Sequence, residues 1–165
     1  MIKIEYKIVE FDKNLSSKEK AKILHNSAYL LLDEMLKNVG VFEYEIKKTD
    51  LGKPYIENSS IHFSIAHSGG MVCCVLSDKE CGIDCEKIVE KDNIKKFCER
   101  YFIGNEITIM EKCGYDSQEF LKIWTQKEAI GKRLGCGLMK SLKIDSTKEN
   151  CSTIIENGYI ITVNV

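Results

Sequence analysis

The chain holds a single proline, Pro54, and its only arginines are Arg100 and Arg133. Nowhere in its 165 residues is there an apolar run long enough to span a bilayer, so no membrane-spanning helix is expected. No Pro/Ser-rich linker and no low-complexity tract divides it. Its eight cysteines include no C-x-x-C pair. Cys73 and Cys74 are adjacent, and Cys81 and Cys85 are spaced C-x-x-x-C on an expected strand, which is not zinc-site spacing. The opening stretch MIKIEYKIVEF alternates charged and apolar residues and does not read as a signal peptide. The cysteines are therefore read as reduced, small core residues of a cytoplasmic protein. A net charge of −1 gives no reason to expect nucleic acid as a general partner. What remains is ordinary for a globular protein, 44% hydrophobic and 30% charged residues, in a length that suits one compact domain or two small halves sharing a core.

Ile2–Val9 alternates at period two and reads as a strand. Ser16-Ser17-Lys18-Glu19 is a capping box, and Ala21, Leu24, Ala28, Leu31 or Leu32 and Met35 then form one helical stripe that Gly40 stops. Phe42, Tyr44 and Ile46 predict a second strand, and Leu51–Pro54 a turn. Ile61, Phe63 and Ile65 predict a third strand, ending in Ala66-His67-Ser68-Gly69-Gly70. That ending reads either as a loop whose backbone N–H groups approach a phosphate or as a sharp hairpin with an exposed histidine. Met71–Leu76 is wholly apolar, as in a strand buried on both faces. Helical stretches follow from Asp92, from Gly104-Asn105-Glu106 and from Asp116 to Gly135. Leu138–Ile144 reads as a strand, and Asn157-Gly158 as a type I′ hairpin turn between two more.

The chemistry gathers in two stretches. In Cys81–Lys87 (CGIDCEK), Asp84 and Glu86 point to the same side of a strand. Two acids on one face repel unless solvent, a base or a cation lies between them. Oxygen ligands so placed suit Mg²⁺, which takes one or two carboxylates and completes its shell with water and phosphate oxygens. A polar edge strand with its acids in water is the plainer alternative. In the later stretch, Trp124, Glu128 and Lys132 share one helix face, and the only tryptophan argues that this face is at least partly buried. A buried acid and lysine need partners, and a metal and a pyrophosphate would supply both.

Taken together, Gly52-Lys53-Pro54, Phe63–Gly69, Gly82–Lys87, Trp124–Lys132 and Gly135–Leu138 resemble, in order and spacing, the Sfp-type 4′-phosphopantetheinyl transferases, over Leu51 to about Ile144. The resemblance implies an α+β fold of two pseudosymmetric halves, residues 1–80 and 81–165, with the active site in the cleft between them. It implies transfer of the phosphopantetheine arm of coenzyme A to a serine of an acyl or peptidyl carrier protein, with release of adenosine 3′,5′-bisphosphate. Asp84, Glu86 and Glu128 match the magnesium ligands of the family, Lys132 its phosphate-contacting lysine, and Lys53 and His67 its coenzyme A contacts. Glu106 matches a further recurrent acid, taken as catalytic alongside Glu128 and Lys132. Glu128, directly or through a metal-bound water, would accept the serine proton, and Lys132 would stabilise charge on the transferring phosphate. Two halves in one chain make a monomer sufficient. Three departures stand out. Ala66 occupies a position where the family usually has serine, the N-terminal segment is short, and the first helix lacks the arginine that often meets the 3′-phosphate. Lys20, Lys22 or His25 would have to substitute for it. A coenzyme A- or carrier-binding module without chemistry, and a thiol-based redox or metal-sensing protein, are the competing readings.

Overall fold

The computed structural model describes residues 1–12 and 14–165. The chain opens with strand β1 (Ile2–Ile8) and helix α1 (Ser17–Lys37), followed by short strands β2 (Ile46–Lys48) and β3 (Pro54–Ile56) and by strands β4 (His62–Ser68) and β5 (Met71–Ser77). Strand β6 (Gly82–Lys87) leads into helices α2 (Ile94–Tyr101), α3 (Asn105–Lys112), α4 (Ser117–Leu134) and α5 (Leu138–Ser141). A 3-10 turn at Ser146–Lys148 and strands β7 (Cys151–Glu156) and β8 (Tyr159–Asn164) close the chain. This is a mixed α+β fold. The strands form three small antiparallel sheets, ordered β1-β5-β4, β2-β3 and β6-β8-β7.

Local chemistry accounts for most of these elements. The Ser16 hydroxyl accepts the Glu19 N–H, and the Glu19 carboxylate accepts the Ser16 N–H at 2.9 Å, so the capping box starts α1 as expected. The stripe Leu24, Ala28, Leu31, Leu32 and Met35 is buried against β4 and β5. Every residue of β5 is buried. One of its faces meets α1, and the other joins Cys81, Ile83 and Cys85 of the β6 segment and Tyr159, Ile161 and Val163 of β8 in a second apolar cluster. A third cluster lies under α2, α3 and α4, where Phe97, Phe102, Phe120 and Trp124 pack ring against ring. Asn157 and Gly158 take positive φ values of 52° and 76°, giving the type I′ turn between β7 and β8. At Gly82 the reason for glycine is space: a Cβ would lie 1.9 Å from the Ala129 carbonyl oxygen and 2.5 Å from the Arg133 nitrogen. This contact lets α4 settle directly onto β6.

Two local expectations are corrected, and one open alternative is decided. Residues 41–45 form no strand, and only Ile46–Lys48 does. The partner β3 offers three residues, and Tyr44 turns back to donate to Asp33 of α1 at 3.0 Å. Leu138–Ile144 is not a strand either. Its first part is α5, and the Leu142 and Ile144 carbonyls turn inward to accept from Lys127 Nζ at 3.1 and 2.8 Å. Of the two readings of the ending at His67, the sharp hairpin with an exposed histidine holds and the phosphate loop does not: His67 lies within β4, paired with Val72. The glycines that follow make a tight hairpin, and the Gly70 N–H is already given to the Tyr159 hydroxyl at 2.9 Å.

Candidate active site

Helix α4 carries Glu128 and Lys132 one turn apart, on the side that packs on β6. Lys132 Nζ donates to Asp84 Oδ1 at 2.9 Å, across 48 positions of sequence, and lies 3.5 Å from the Ile65 carbonyl oxygen of β4. Asp84 is 8% exposed, and its other oxygen, Oδ2, is buried without a hydrogen-bond partner among the described residues. Burial pushes the Asp84 carboxyl up to about 6; Lys132 pulls it back, and the negative charges of Glu128 and Glu86 add to the rise. Glu128 is raised in the same way, first by burial, with Lys132 opposing and Glu86 adding. For Lys132 burial works against the charge, but the Asp84 charge and hydrogen bond outweigh it and hold the ammonium above its ordinary value. Three carboxylates and one lysine thus share a single electrostatic neighbourhood. Glu86 is fixed by the Ser68 hydroxyl, which donates to its Oε2 at 2.8 Å.

A pocket of about 470 Å³ opens beside this group. Helix α4 contributes Glu128 and Lys132 to its wall, and the first part of the chain contributes His25, Lys48, Lys53 and His67. Lys53 is anchored by Glu80 and donates to the Arg133 carbonyl at 2.6 Å. Five of the six side chains just named are basic types, so the wall suits an anion with several phosphates. In the sequence His25 stands out only as a possible substitute for the missing arginine, and Lys48 does not stand out at all. No local pattern marks Lys48, which reaches the pocket because β2 folds beside it.

His67 is held below the ordinary histidine range, first by burial and then by the charges of Lys132 and His25. An NMR titration of its imidazole is expected to give a midpoint below about 6.5, moving up in Lys132→Met. The sign for stability follows. The fold favours the neutral ring, so this contribution is complete above the unfolded-state value and fades as pH falls toward the folded one.

Glu106 is not a pocket residue. It is 0% exposed, and its Oε1 meets Lys127 Nζ at 2.8 Å and the Ser146 N–H at 2.7 Å. Its Oε2 accepts the Ile103 N–H at 3.0 Å. Both oxygens are occupied, so this acid ties α3 to α4 and has no surface to offer a substrate. The metal expectation also changes in detail. Among the described residues no group of three or more His, Cys, Asp or Glu side chains is gathered closely enough to hold a metal ion. The Lys132 ammonium sits on Asp84 instead. The residues nonetheless suit a cation: an orphaned, buried Asp84 Oδ2 with two further acids in electrostatic range is a donor set short of positive charge. All eight cysteines are free thiols.

Residues 80–161 match the model of the 4′-phosphopantetheinyl transferase superfamily. Among curated relatives, a 4′-phosphopantetheinyl transferase gsp of Aneurinibacillus migulanus is 36% identical over 114 residues, covering 66% of this chain and 46% of the relative. The 4′-phosphopantetheinyl transferase Sfp of Bacillus subtilis (strain 168) is 33% identical over 127 residues, 71% of this chain and 55% of the relative. The 4′-phosphopantetheinyl transferase AcpT of Salmonella typhimurium is 35% identical over 100 residues, 58% of this chain and 52% of the relative. The chain spans about half the length of the curated relatives it matches. The matched region contains Asp84, Glu86, Glu128 and Lys132, and the chain belongs to the 4′-phosphopantetheinyl transferase superfamily.

Proposed function

We propose that this chain transfers the 4′-phosphopantetheine arm of coenzyme A to a serine hydroxyl of an apo acyl or peptidyl carrier protein, with Mg²⁺, releasing adenosine 3′,5′-bisphosphate. The observation that carries the reading is the pocket itself, where Lys53, His67, Glu128 and Lys132, from distant parts of the chain, line one cavity beside Asp84. In this reading residues 1–80 and 81–165 are pseudosymmetric halves and the pocket is the cleft between them. Each half runs strand, long helix, then a hairpin whose last strand is central to its sheet, which supports the equivalence.

Lys48, Lys53, His25 and His67 bind the phosphates of the donor. Lys132 neutralises charge that grows on the transferring phosphate, an interaction that strengthens toward the transition state. Glu128, kept weakly acidic by burial, accepts the proton of the incoming serine. Asp84, Glu86 and Glu128 would hold the cation, which when bound supplies charge neutralisation at the diphosphate. A cytoplasmic, monomeric protein that acts on a carrier protein and not on nucleic acid goes with this reading. No helix among the described residues is long and apolar enough to cross a membrane.

The test is a mass-shift assay. Purified protein, coenzyme A, Mg²⁺ and apo carrier proteins are incubated, and the carriers are weighed by mass spectrometry. The expected result is a gain of one phosphopantetheine arm, abolished by a chelator. No gain on any of several carriers, with coenzyme A still bound, turns the reading toward a binding module.

A further inference from the structure

Ser68 ends β4 in the first sheet, whereas Glu86 sits near the end of β6 in another. Their 2.8 Å hydrogen bond therefore crosses from sheet to sheet. The serine is not left to find its own place. The hairpin behind it is tied to β8, because the Gly70 N–H donates to the Tyr159 hydroxyl at 2.9 Å. Gly69, at a φ of +59°, lies so close that a Cβ there would come 2.8 Å from the same hydroxyl oxygen. Tyr159 is 6% exposed, and in the ladder it faces Lys87, the neighbour of Glu86. Serine, hairpin, tyrosine and acid thus close one circuit across the two sheets.

The circuit answers a physical difficulty. Asp84 and Glu86 lie on the same strand face, and the charge of Glu86 helps to raise the Asp84 carboxyl. Left alone, the longer side chain of Glu86 would swing toward water and away from Asp84. A neutral donor bonded to one Glu86 oxygen holds the carboxylate in place without cancelling its charge.

We propose that Ser68 is a positioning residue that orients Glu86 beside Asp84 as a cation ligand, and that Tyr159 fixes the hairpin from which Ser68 acts. This rests on the metal reading given above. Outer-sphere partners of this kind typically account for about 10–100-fold in metal affinity.

The experiment is a Mn²⁺ titration of the purified protein, with free ion followed by electron paramagnetic resonance. It compares the parent protein with Ser68→Ala, Ser68→Thr, Tyr159→Phe and Asp84→Asn, each checked by circular dichroism and thermal midpoint. Ser68→Ala is expected to weaken Mn²⁺ binding by about 10–100-fold, Ser68→Thr to restore most of it, and Tyr159→Phe to fall between. Equal affinity in Ser68→Ala and the parent overturns the proposal while leaving the metal site standing. So does an equal loss in Ser68→Ala and Ser68→Thr that tracks a drop in thermal midpoint, because the serine is then merely structural. A parent protein that binds no Mn²⁺, or binds it as well after Asp84→Asn, overturns the metal reading and this one with it.

Discussion

Replacing Glu128 by glutamine is expected to lower carrier modification by about 10²–10⁴-fold, the usual worth of a positioned general base. The fold is expected to survive. Glu128 is half-buried, its pKa is raised first by burial, and the nearby charge of Glu86 adds to the rise. A carboxylate held above its ordinary pKa is ionised at neutral pH at the expense of stability, so removing the charge relieves the native state. The thermal midpoint should hold or rise while activity falls, and this opposition separates a site residue from a structural one. Asp84→Ala is expected to lose activity too, but with some loss of stability, because it relieves crowding among the three acids and at the same time takes from Lys132 its ion-pair partner. Initial rates from the mass-shift assay, beside melting curves for each variant, provide the check. A melting curve that drops in step with activity in Glu128→Gln would place this residue among the structural groups.

The second large effect is on stability and lies away from the pocket. Glu106→Gln is expected to cost about 3–5 kcal/mol, the range for breaking a buried ion pair from one side. Lys127 and Glu106 are both 0% exposed. All three protons of the Lys127 ammonium have acceptors: Glu106 Oε1 at 2.8 Å, the Leu142 carbonyl at 3.1 Å and the Ile144 carbonyl at 2.8 Å. Its Nζ also lies 5.6 Å from the centre of the Phe102 ring. Glutamine leaves that ammonium buried without a counter-charge. Lys127→Met leaves the carboxylate in the same position, and the double variant should recover part of the loss, since neither partner is then a lone buried charge. Urea unfolding of the two single variants and the double one, read as a cycle, measures the coupling. Additive losses would mean that the two charges do not depend on each other. The pair matters to the site indirectly, because it ties α3 and the segment after α5 to the one helix that presents Glu128 and Lys132.

Much of this architecture was legible in the chain because side-chain periodicity is a local property. The capping box at Ser16 and Glu19, the doubly buried strand Met71–Leu76, the turn at Asn157-Gly158 and the shared face of Glu128 and Lys132 each follow from neighbours a few positions apart. So does the common side of Asp84 and Glu86. Where a local pattern met a distant partner, it misled. Leu138–Ile144 has the composition of a strand, yet its carbonyls are claimed by a lysine on α4. Residues 41–45 alternate like a strand but have almost no partner to pair with. Glu106 resembles a site acid and is instead sealed against Lys127.

By itself the sequence determined most of the elements, the faces they present and the acids and lysine proposed to carry the chemistry. Only the tertiary structure decided that Lys132 rests on Asp84, that Lys48 joins His25 and His67 in the pocket wall, and that Ser68 reaches Glu86. The reason is that period and propensity act between residues a few positions apart. Contacts between side chains 18 or 48 positions apart exist only once the sheets and α4 have packed. Such contacts depend on the depth and angle of that packing, which no local pattern encodes.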